Sequence, residues 1–228
     1  MEPISLDSYQ YFNFHVHHPS VSNEGAVFCI QSYDVTSQMH KVDENSSFSL
    51  GMHPWFLEKE MVYDNLNKMR TYSNHPKFLA IGEVGFDPLK SPSFELQKTS
   101  FILQADLAEE FNKPLIIHCV KSFSILLELK KKLNPKMPWI VHGFRNSSKL
   151  ANQLMANGIY LSFGVSLLWE KHLQELICSI PLNAFLIETD DSKETIDNLT
   201  NFVCKLRSIN QEEFLMNQCS IYTQFFVN

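Results

Sequence analysis

The amino-acid sequence predicts an α/β fold, a parallel (β/α)8 barrel, on three observations. Eight short apolar runs rich in β-forming residues recur along the 228 residues, and polar, helix-compatible stretches separate most of them. The length fits one large domain, and α/β barrels commonly reach this size undivided. The alternative, a doubly wound open sheet, is disfavoured because no glycine-rich phosphate turn follows the first run. We therefore predict one domain over residues 1–228.

The predicted strands follow one another up to residue 190. They are Tyr11–His17, Ala26–Ser32, Phe48–Met52, Phe78–Gly85, Leu115–Cys119, Trp139–Gly143, Ile159–Gly164 and Phe185–Asp190. Pro114, Pro138 and Pro181 fall just before strands, where a missing backbone N–H does least harm.

The predicted helices lie between the later strands and after the last one. They are Leu57–Ser73, Phe94–Phe111, Phe123–Leu133, Ser147–Asn157, Leu167–Ser179, Lys193–Arg207 and Gln211–Phe226. Phe94–Phe111 has the clearest helical spacing of apolar residues, and Glu95 stands in its first turn, where the helix dipole favours a carboxylate. The connections after the first two strands are weak as helices, so the alternation is incomplete there.

Composition indicates a folded protein in a reducing compartment. Hydrophobic residues make up 44% and aromatic residues 12%, which is enough for a sizeable core. No apolar run reaches the roughly 20 residues that span a bilayer, and Met1–Pro3 shows no signal-peptide pattern. The five cysteines are odd in number and lack paired spacing. We expect a cytoplasmic monomer without a membrane partner.

The net charge of −6 limits how the chain could bind nucleic acid. Proteins that wrap nucleic acid are usually basic, because phosphate contacts dominate that affinity. Any such contact here would be local, and bound divalent metals would add positive charge to it.

Polar side chains occupy five of the predicted strand ends, where barrel enzymes carry their chemistry. Because alternate strand residues share a face, two histidines of the first strand point the same way. Six donors are too many for one tetrahedral zinc ion with an open position, but they suit two metal ions that share a carboxylate. The six residues are His15, His17, Glu83, His118, His142 and Asp190.

A packed or hydrogen-bonded histidine is the simpler interpretation of His118 or His142 taken singly. Agreement among five strand ends favours the metal interpretation, because each buried polar group without a function would cost desolvation. Gly82 and Gly85 flank Glu83, and we expect these bare glycines to let backbone and metal approach closely.

Six motifs at or near these strand ends appear in one order between residues 13 and 190. They are His15-Val16-His17, Gly51-Met52-His53-Pro54, Ile81-Gly82-Glu83-Val84-Gly85-Phe86-Asp87, Pro114-Leu115-Ile116-Ile117-His118, His142-Gly143-Phe144 and Glu188-Thr189-Asp190. Together they resemble the TatD family of metal-dependent hydrolases, and in particular a shorter branch of it. The resemblance implies a TIM barrel of the metallo-dependent hydrolase type.

The resemblance also implies a dinuclear centre and an activity. One divalent ion (Zn, Mn or Mg) would be held by His15, His17 and Asp190. The other would be held by His118 and His142, with Glu83 bridging the two ions. The implied activity is that of a deoxyribonuclease or related phosphodiesterase, and we expect single-stranded DNA ends as the substrate.

Roles follow for the residues around this centre. Asp190 can bind metal and accept the proton of the attacking water, while Glu83 bridges. His53 could hydrogen-bond the substrate or a ligand, or it could simply be a loop histidine fixed beside Pro54. Glu188 shares a face with Asp190 and is a candidate partner for a liganding histidine.

Three cations lie just beyond strand ends that bear predicted ligands. Lys121, Arg145 and Lys193 could form a local rim that binds a phosphate backbone, and Arg145 is the best candidate. The alternative, that they are ordinary solvated charges, stays open, above all for Lys193.

The chain departs from the family's common pattern at substrate contacts more than at ligands. Asn13 stands where many members have Asp, Lys121 lies where an arginine is usual, and Gly143 replaces a usual cysteine. Two other functions therefore stay open. One is a hydrolase of small amides, esters or phosphoesters, and the other is a metal-binding protein without turnover.

Overall fold

Eight strands follow one another in chain order in one sheet of the computed structural model, which describes residue 6, residues 9–18, residue 22 and residues 24–226. The strands are β1 (Tyr11–Val16), β2 (Val27–Asp34), β3 (Phe48–Gly51), β4 (Phe78–Phe86), β5 (Leu115–Cys119), β6 (Trp139–Val141), β7 (Ile159–Phe163) and β8 (Phe185–Ile187). Every predicted strand is present, with ends shifted by three residues or fewer. Met1–Pro3, where no signal peptide was predicted, lies outside the described residues.

Helices follow β3 and every later strand. They are α1 (Val62–Arg70), α2 (Phe94–Phe111), α3 (Phe123–Leu133), α4 (Ser148–Ala156), α5 (Lys171–Ser179), α6 (Ile196–Arg207) and α7 (Gln211–Phe226). In the described chain between β2 and β3 only a short 3-10 helix, Met39–Lys41, occurs, which agrees with the weak helical pattern there. Within the described residues, no helix is both long and apolar enough to cross a membrane.

The helix α2 has the bounds that the sequence predicted, because both of its ends are capped. The Ser93 side chain accepts a hydrogen bond from the backbone N–H of Leu96 at 3.4 Å. Asn112 ends the helix in the left-handed conformation, with φ of 53°.

Two buried glutamines of α2 fix the ends of β3 and β4. Gln104 accepts a hydrogen bond from the N–H of Met52 at 2.7 Å. Gln97 accepts one from the N–H of Asp87 at 2.8 Å and donates one to the Asp87 carbonyl at 3.0 Å. The helix thereby fixes the main chain at Met52 and Asp87, just after the ends of β3 and β4.

The chain divides into two compact units. The first comprises Met1–Gln31 and His142–Asn228, and the second comprises Ser32–Val141. In the first unit β1 pairs with β2 and β7 with β8, both parallel, and Val16 forms a parallel bridge with Asp190 just after β8. In the second unit β3, β4, β5 and β6 pair in that order, all parallel. The single domain expected from the sequence stays a prediction.

Aromatic side chains fill the core of each unit. In the first unit Phe12 of β1 packs on Tyr222 of α7, with ring centroids 4.9 Å apart. In the second unit Phe48 stacks on Phe78 at 5.5 Å. Such contacts, made by rings that are almost fully buried, fasten helices and neighbouring strands together.

Two glycines allow β4 to lie close to β5. A Cβ atom added at Gly85 would lie 1.8 Å from the carbonyl oxygen of His118, and one at Gly82 would lie 2.6 Å from the Cβ of Ile116. Both glycines have positive φ, +150° and +152°, which other residues rarely adopt. The strand segment that carries Glu83 therefore depends on a glycine on either side.

We predict that Gly85→Ala lowers the free energy of unfolding by about 3 kcal/mol or more, because the new Cβ meets backbone and the φ is unfavourable. Denaturant titration would measure the loss. Gly158→Ala is the matched control: its φ is +69°, but an added Cβ meets nothing within 4 Å. Strain alone should cost about 1–2 kcal/mol there. Equal losses in the two variants would contradict the crowding argument.

Candidate metal centre

The end of β1 places two histidines beside one carboxylate. The Nε2 atoms of His15 and His17 lie 3.7 Å and 3.3 Å from the Oδ1 of Asp190. Their ring centroids are 5.0 Å apart. The His15 side chain is fully buried, whereas the His17 side chain is 33% exposed. The arrangement brings together three of the predicted ligands in the first unit.

The main chain holds Asp190 against the end of β1. Its N–H donates a hydrogen bond to the His15 carbonyl at 3.0 Å, and its carbonyl accepts one from the N–H of His17 at 3.3 Å. The φ of Asp190 is 55°, a left-handed value that aspartate tolerates better than most residues. The carboxylate is therefore positioned by backbone pairing as well as by its side-chain contacts.

His142 joins this group and is oriented by Glu188. The His142 ring centroid lies 4.5 Å from that of His15. The Oε1 of Glu188 lies 3.3 Å from His142 Nδ1 and accepts a hydrogen bond from the N–H of Gly143 at 2.7 Å. The sequence suggested Glu188 as the partner of a liganding histidine, and a carboxylate in this place fixes the ring and raises its basicity.

Asn13 joins β1 to the residue before Asp190. Its amide donates a hydrogen bond to Thr189 Oγ1 at 2.8 Å, and its carbonyl oxygen accepts one from the Thr189 N–H at 3.0 Å. Both residues are buried. At the position where the chain departs from the family's common Asp, the amide therefore has a structural role in the link between β1 and β8.

The second unit gathers Glu83, His118 and His53. The Oε1 of Glu83 lies 2.8 Å from His118 Nδ1 and 3.2 Å from His53 Nε2, and all three side chains are largely buried. His53 Nδ1 accepts a hydrogen bond from the N–H of Trp55 at 3.2 Å, so its proton lies on Nε2 and points at Glu83. In this tautomer His53 orients Glu83, and its Nε2 would have to lose that proton to bind a metal ion.

Asp87 is a site residue to which sequence reasoning gave no role. Its Oδ2 lies 3.7 Å from His118 Nε2 and accepts a hydrogen bond from the Trp55 indole at 2.8 Å. The signal was present in the strand alternation, because Glu83 and Asp87 are four residues apart, an even spacing that predicts side chains on the same face of an extended chain.

Each unit contains three side chains whose donor atoms lie within 4.8 Å of one another, a spacing that could hold a metal ion. Imidazole and carboxylate donors of this kind suit zinc, manganese and similar ions. In the first unit, moreover, the buried Glu188 Oε2 has no hydrogen-bond partner in the described part of the chain. The residues therefore fit divalent ions. The two groups are His15, His142 and Asp190, and His53, Glu83 and His118.

The thiol beside His118 is a poor further ligand. Burial raises the pKa of Cys119 to about 12, so the neutral thiol is strongly favoured over the thiolate that binds metal. All five cysteines are free thiols.

The three cations predicted to form a rim are all exposed. Arg145 already forms an ion pair with Glu170, which also lies 3.6 Å from His172 Nε2. Lys121 and Lys193 project from the loops after β5 and β8.

Eight parallel strands with histidine and carboxylate donors at or just after several strand ends are typical of metal-dependent barrel enzymes. The protein belongs to the TatD family, since the family model described as TatD related DNase matches residues 21–214. The match includes Glu83, His118 and Asp190 and begins after His15 and His17.

Two curated relatives are named metal-dependent hydrolases. YabD of Bacillus subtilis is 33% identical over 163 residues, which cover 68% of this chain and 63% of the relative. YjjV of Escherichia coli K12 is 28% identical over 146 residues, 62% of this chain and 56% of the relative. The chain thus spans between 56% and 63% of the length of these relatives.

Solved structures show the same fold. The crystal structure of YjjV, a TatD homolog from E. coli, has a TM-score of 0.79 at 20% identity and covers 95% of this chain and 98% of that one. An amidohydrolase from Saccharomyces cerevisiae has a TM-score of 0.76 at 12% identity, with 95% and 99% covered. The predicted (β/α)8 barrel class is confirmed.

We predict that Asn13→Ala lowers the free energy of unfolding by about 1–3 kcal/mol, because it leaves the buried N–H of Thr189 without an acceptor. Asn13→Asp keeps an acceptor for that N–H and should lose less. Denaturant titration of the three proteins tests this order, and an Asn13→Ala variant as stable as the parent would show that the link is dispensable.

Proposed function

We propose that the chain is a two-metal hydrolase of the TatD type that cleaves phosphodiester bonds of DNA through an activated water. The observation that carries the proposal is that the six predicted ligands fall in or beside the two donor groups, one in each unit. The family description, TatD related DNase, supports DNA as the substrate.

We propose the ligands as predicted: His15, His17, Glu83, His118, His142 and Asp190, with Glu83 shared between two ions. In (β/α)8 barrels the carboxyl ends of all strands serve one active site, which supports a common centre. The resemblance implied that His142 shares an ion with His118, but His142 lies in the group of His15 and Asp190, so we propose it for the ion at that group. Bound ions would acidify a water and balance the charge that develops on the scissile phosphate.

Asp190 is proposed as the residue that accepts the water's proton. Its side chain is 38% exposed, so it can meet both solvent and substrate. The imidazoles of His15 and His17 contact one of its oxygens, and the backbone pairing with β1 fixes its direction. A general base needs to lie within hydrogen-bond distance of the proton that it accepts, in a fixed orientation.

A small amide, ester or phosphoester is the second candidate substrate. The net charge of −6 disfavours a long polyanion. Arg145, the best phosphate contact predicted from the sequence, is paired with Glu170 and would have to exchange that partner for a phosphate. Lys121 and His53 remain proposed substrate contacts under either activity.

Labelled single-stranded DNA and a panel of small esters and amides, each with magnesium, manganese or zinc, would separate the two activities. We expect DNA cleavage, and metal analysis should find about two ions per chain. Activity on the small substrates without DNA cleavage would overturn the nuclease proposal.

Asp190→Asn should reduce activity by a factor of 100 or more, because the proposed proton acceptor is lost. Unchanged turnover in this variant would show that the catalytic assignment is wrong. Lys131→Gln, an exposed charge change on α3 away from both donor groups, is the control and should keep near-parental turnover.

Glu188→Gln should weaken metal binding about 10- to 100-fold, because the amide no longer supports the His142 imidazole as a carboxylate does. Calorimetric titration with zinc or manganese measures the affinity. Glu170→Gln, which alters a carboxylate paired with Arg145, is the control. Equal affinities for the parent and Glu188→Gln would refute the orienting role.

A further inference from the structure

Exposed apolar side chains are concentrated beside the donor group of the second unit. In the described part of the chain six large hydrophobic side chains are exposed, and three of them lie in the loops that follow β3 and β4. These are Trp55 (41% exposed), Phe56 (49%) and Leu89 (62%). Their position at the ends of the strands that carry His53 and Glu83 points to a ligand rather than to scattered surface residues.

Trp55 is exposed but firmly held. Its indole N–H donates to Asp87 at 2.8 Å, and its ring meets the edges or faces of His53 and His118 at centroid distances of 5.0 Å and 5.6 Å. Phe56 lies beside it at 6.4 Å in a T-shaped arrangement. The Phe56 ring also lies 5.4 Å from the His53 ring, so both aromatic rings contact a histidine of the candidate metal centre.

A cation completes this surface. The Lys90 Nζ lies 5.0 Å from the centroid of the Trp55 ring, a cation–π distance. The loop that carries Lys90 is fastened to Asp87, because the Asp87 carbonyl accepts from the Lys90 N–H at 3.2 Å and its Oδ1 accepts from the Leu89 N–H at 3.0 Å. Asp87 thus fixes both the aromatic ring and the loop that carries the cation.

We propose that Trp55, Phe56 and Lys90 form a nucleotide subsite, in which the aromatic rings stack on an unpaired base and Lys90 binds a neighbouring phosphate. Every base presents a face that stacks on an aromatic ring, and single-strand binding combines such rings with cations along the backbone. Stacking on these rings requires a base that is free of its own stack and pair, so the subsite favours single-stranded nucleic acid. This inference deepens the proposed nuclease function and rests on it for the substrate class.

Binding of two labelled oligomers to the metal-loaded protein tests the subsite. One is oligothymidylate and the other is an abasic oligomer of equal length, both with phosphorothioate linkages that resist cleavage. Fluorescence anisotropy gives the two affinities, and their ratio isolates the contribution of the bases. We expect the parent to prefer oligothymidylate, and Trp55→Ala to bind it roughly 5- to 150-fold more weakly while binding the abasic oligomer almost unchanged.

Three further variants separate stacking from other effects. Trp55→Phe keeps a ring without the Asp87 hydrogen bond and should retain most of the preference. Lys90→Ala should weaken both oligomers alike and lower the salt dependence by about one phosphate contact. Tyr63→Ala, which removes a 69% exposed ring from α1, is the matched control and should change neither affinity.

The outcomes distinguish this inference from the function on which it rests. A parent that binds neither oligomer, or binds both equally, overturns the subsite, as does a Trp55→Ala variant that keeps the full preference. A preference for oligothymidylate that depends on Trp55, in a protein that cleaves no DNA with any metal, supports the subsite and refutes the nuclease activity.

Discussion

The pairing of Asp190 with the end of β1 is the interaction on which the first donor group depends. Two backbone hydrogen bonds join Asp190 to His15 and His17, residues more than 170 positions away in the chain. The imidazoles and the carboxylate meet because the strands that carry them are fastened at this point. Asn13 and Thr189, which precede His15 and Asp190 in the chain, add a second link through two hydrogen bonds. The relative positions of these donor side chains are therefore set first by the backbone hydrogen bonds of the sheet.

The second donor group depends on close approach in the same way. Glu83 lies between Gly82 and Gly85, whose missing side chains let β4 lie against β5 and bring the carboxylate to His118. Gln97 and Gln104 of α2 fix the ends of β3 and β4 from the other side. Bare backbone at the two glycines and buried amides at the strand ends restrict the segment of β4 that carries Glu83.

The sequence predicted the strands and most helices well, because each is a compact run of apolar residues between polar or turn residues. The ends of α2 were predictable from Ser93 and the glycine-like conformation that Asn112 can adopt. The helix near Leu57 was predicted too long, because its first part forms a loop and a short 3-10 turn before α1 begins at Val62. Apolar periodicity does not distinguish these local geometries.

The candidate ligands were predictable because strand alternation and strand ends are periodic in sequence. Contacts between neighbouring loops were not. The tautomer of His53 depends on the N–H of Trp55, and the role of Asp87 depends on the hydrogen bond that it accepts from the Trp55 indole. These contacts arise where loops meet in the folded chain. The sequence indicated only that Asp87 lies an even number of residues from Glu83.

The backbone conformation of Asp190 limits what this position can become. A φ of 55° is accessible to aspartate, asparagine and glycine far more readily than to longer or branched residues. Glutamate would add a methylene to the carboxylate and strain to the main chain at once. Substitution of this donor group can therefore vary the histidines or Glu188, while the carboxylate that follows β8 is confined to the short acid.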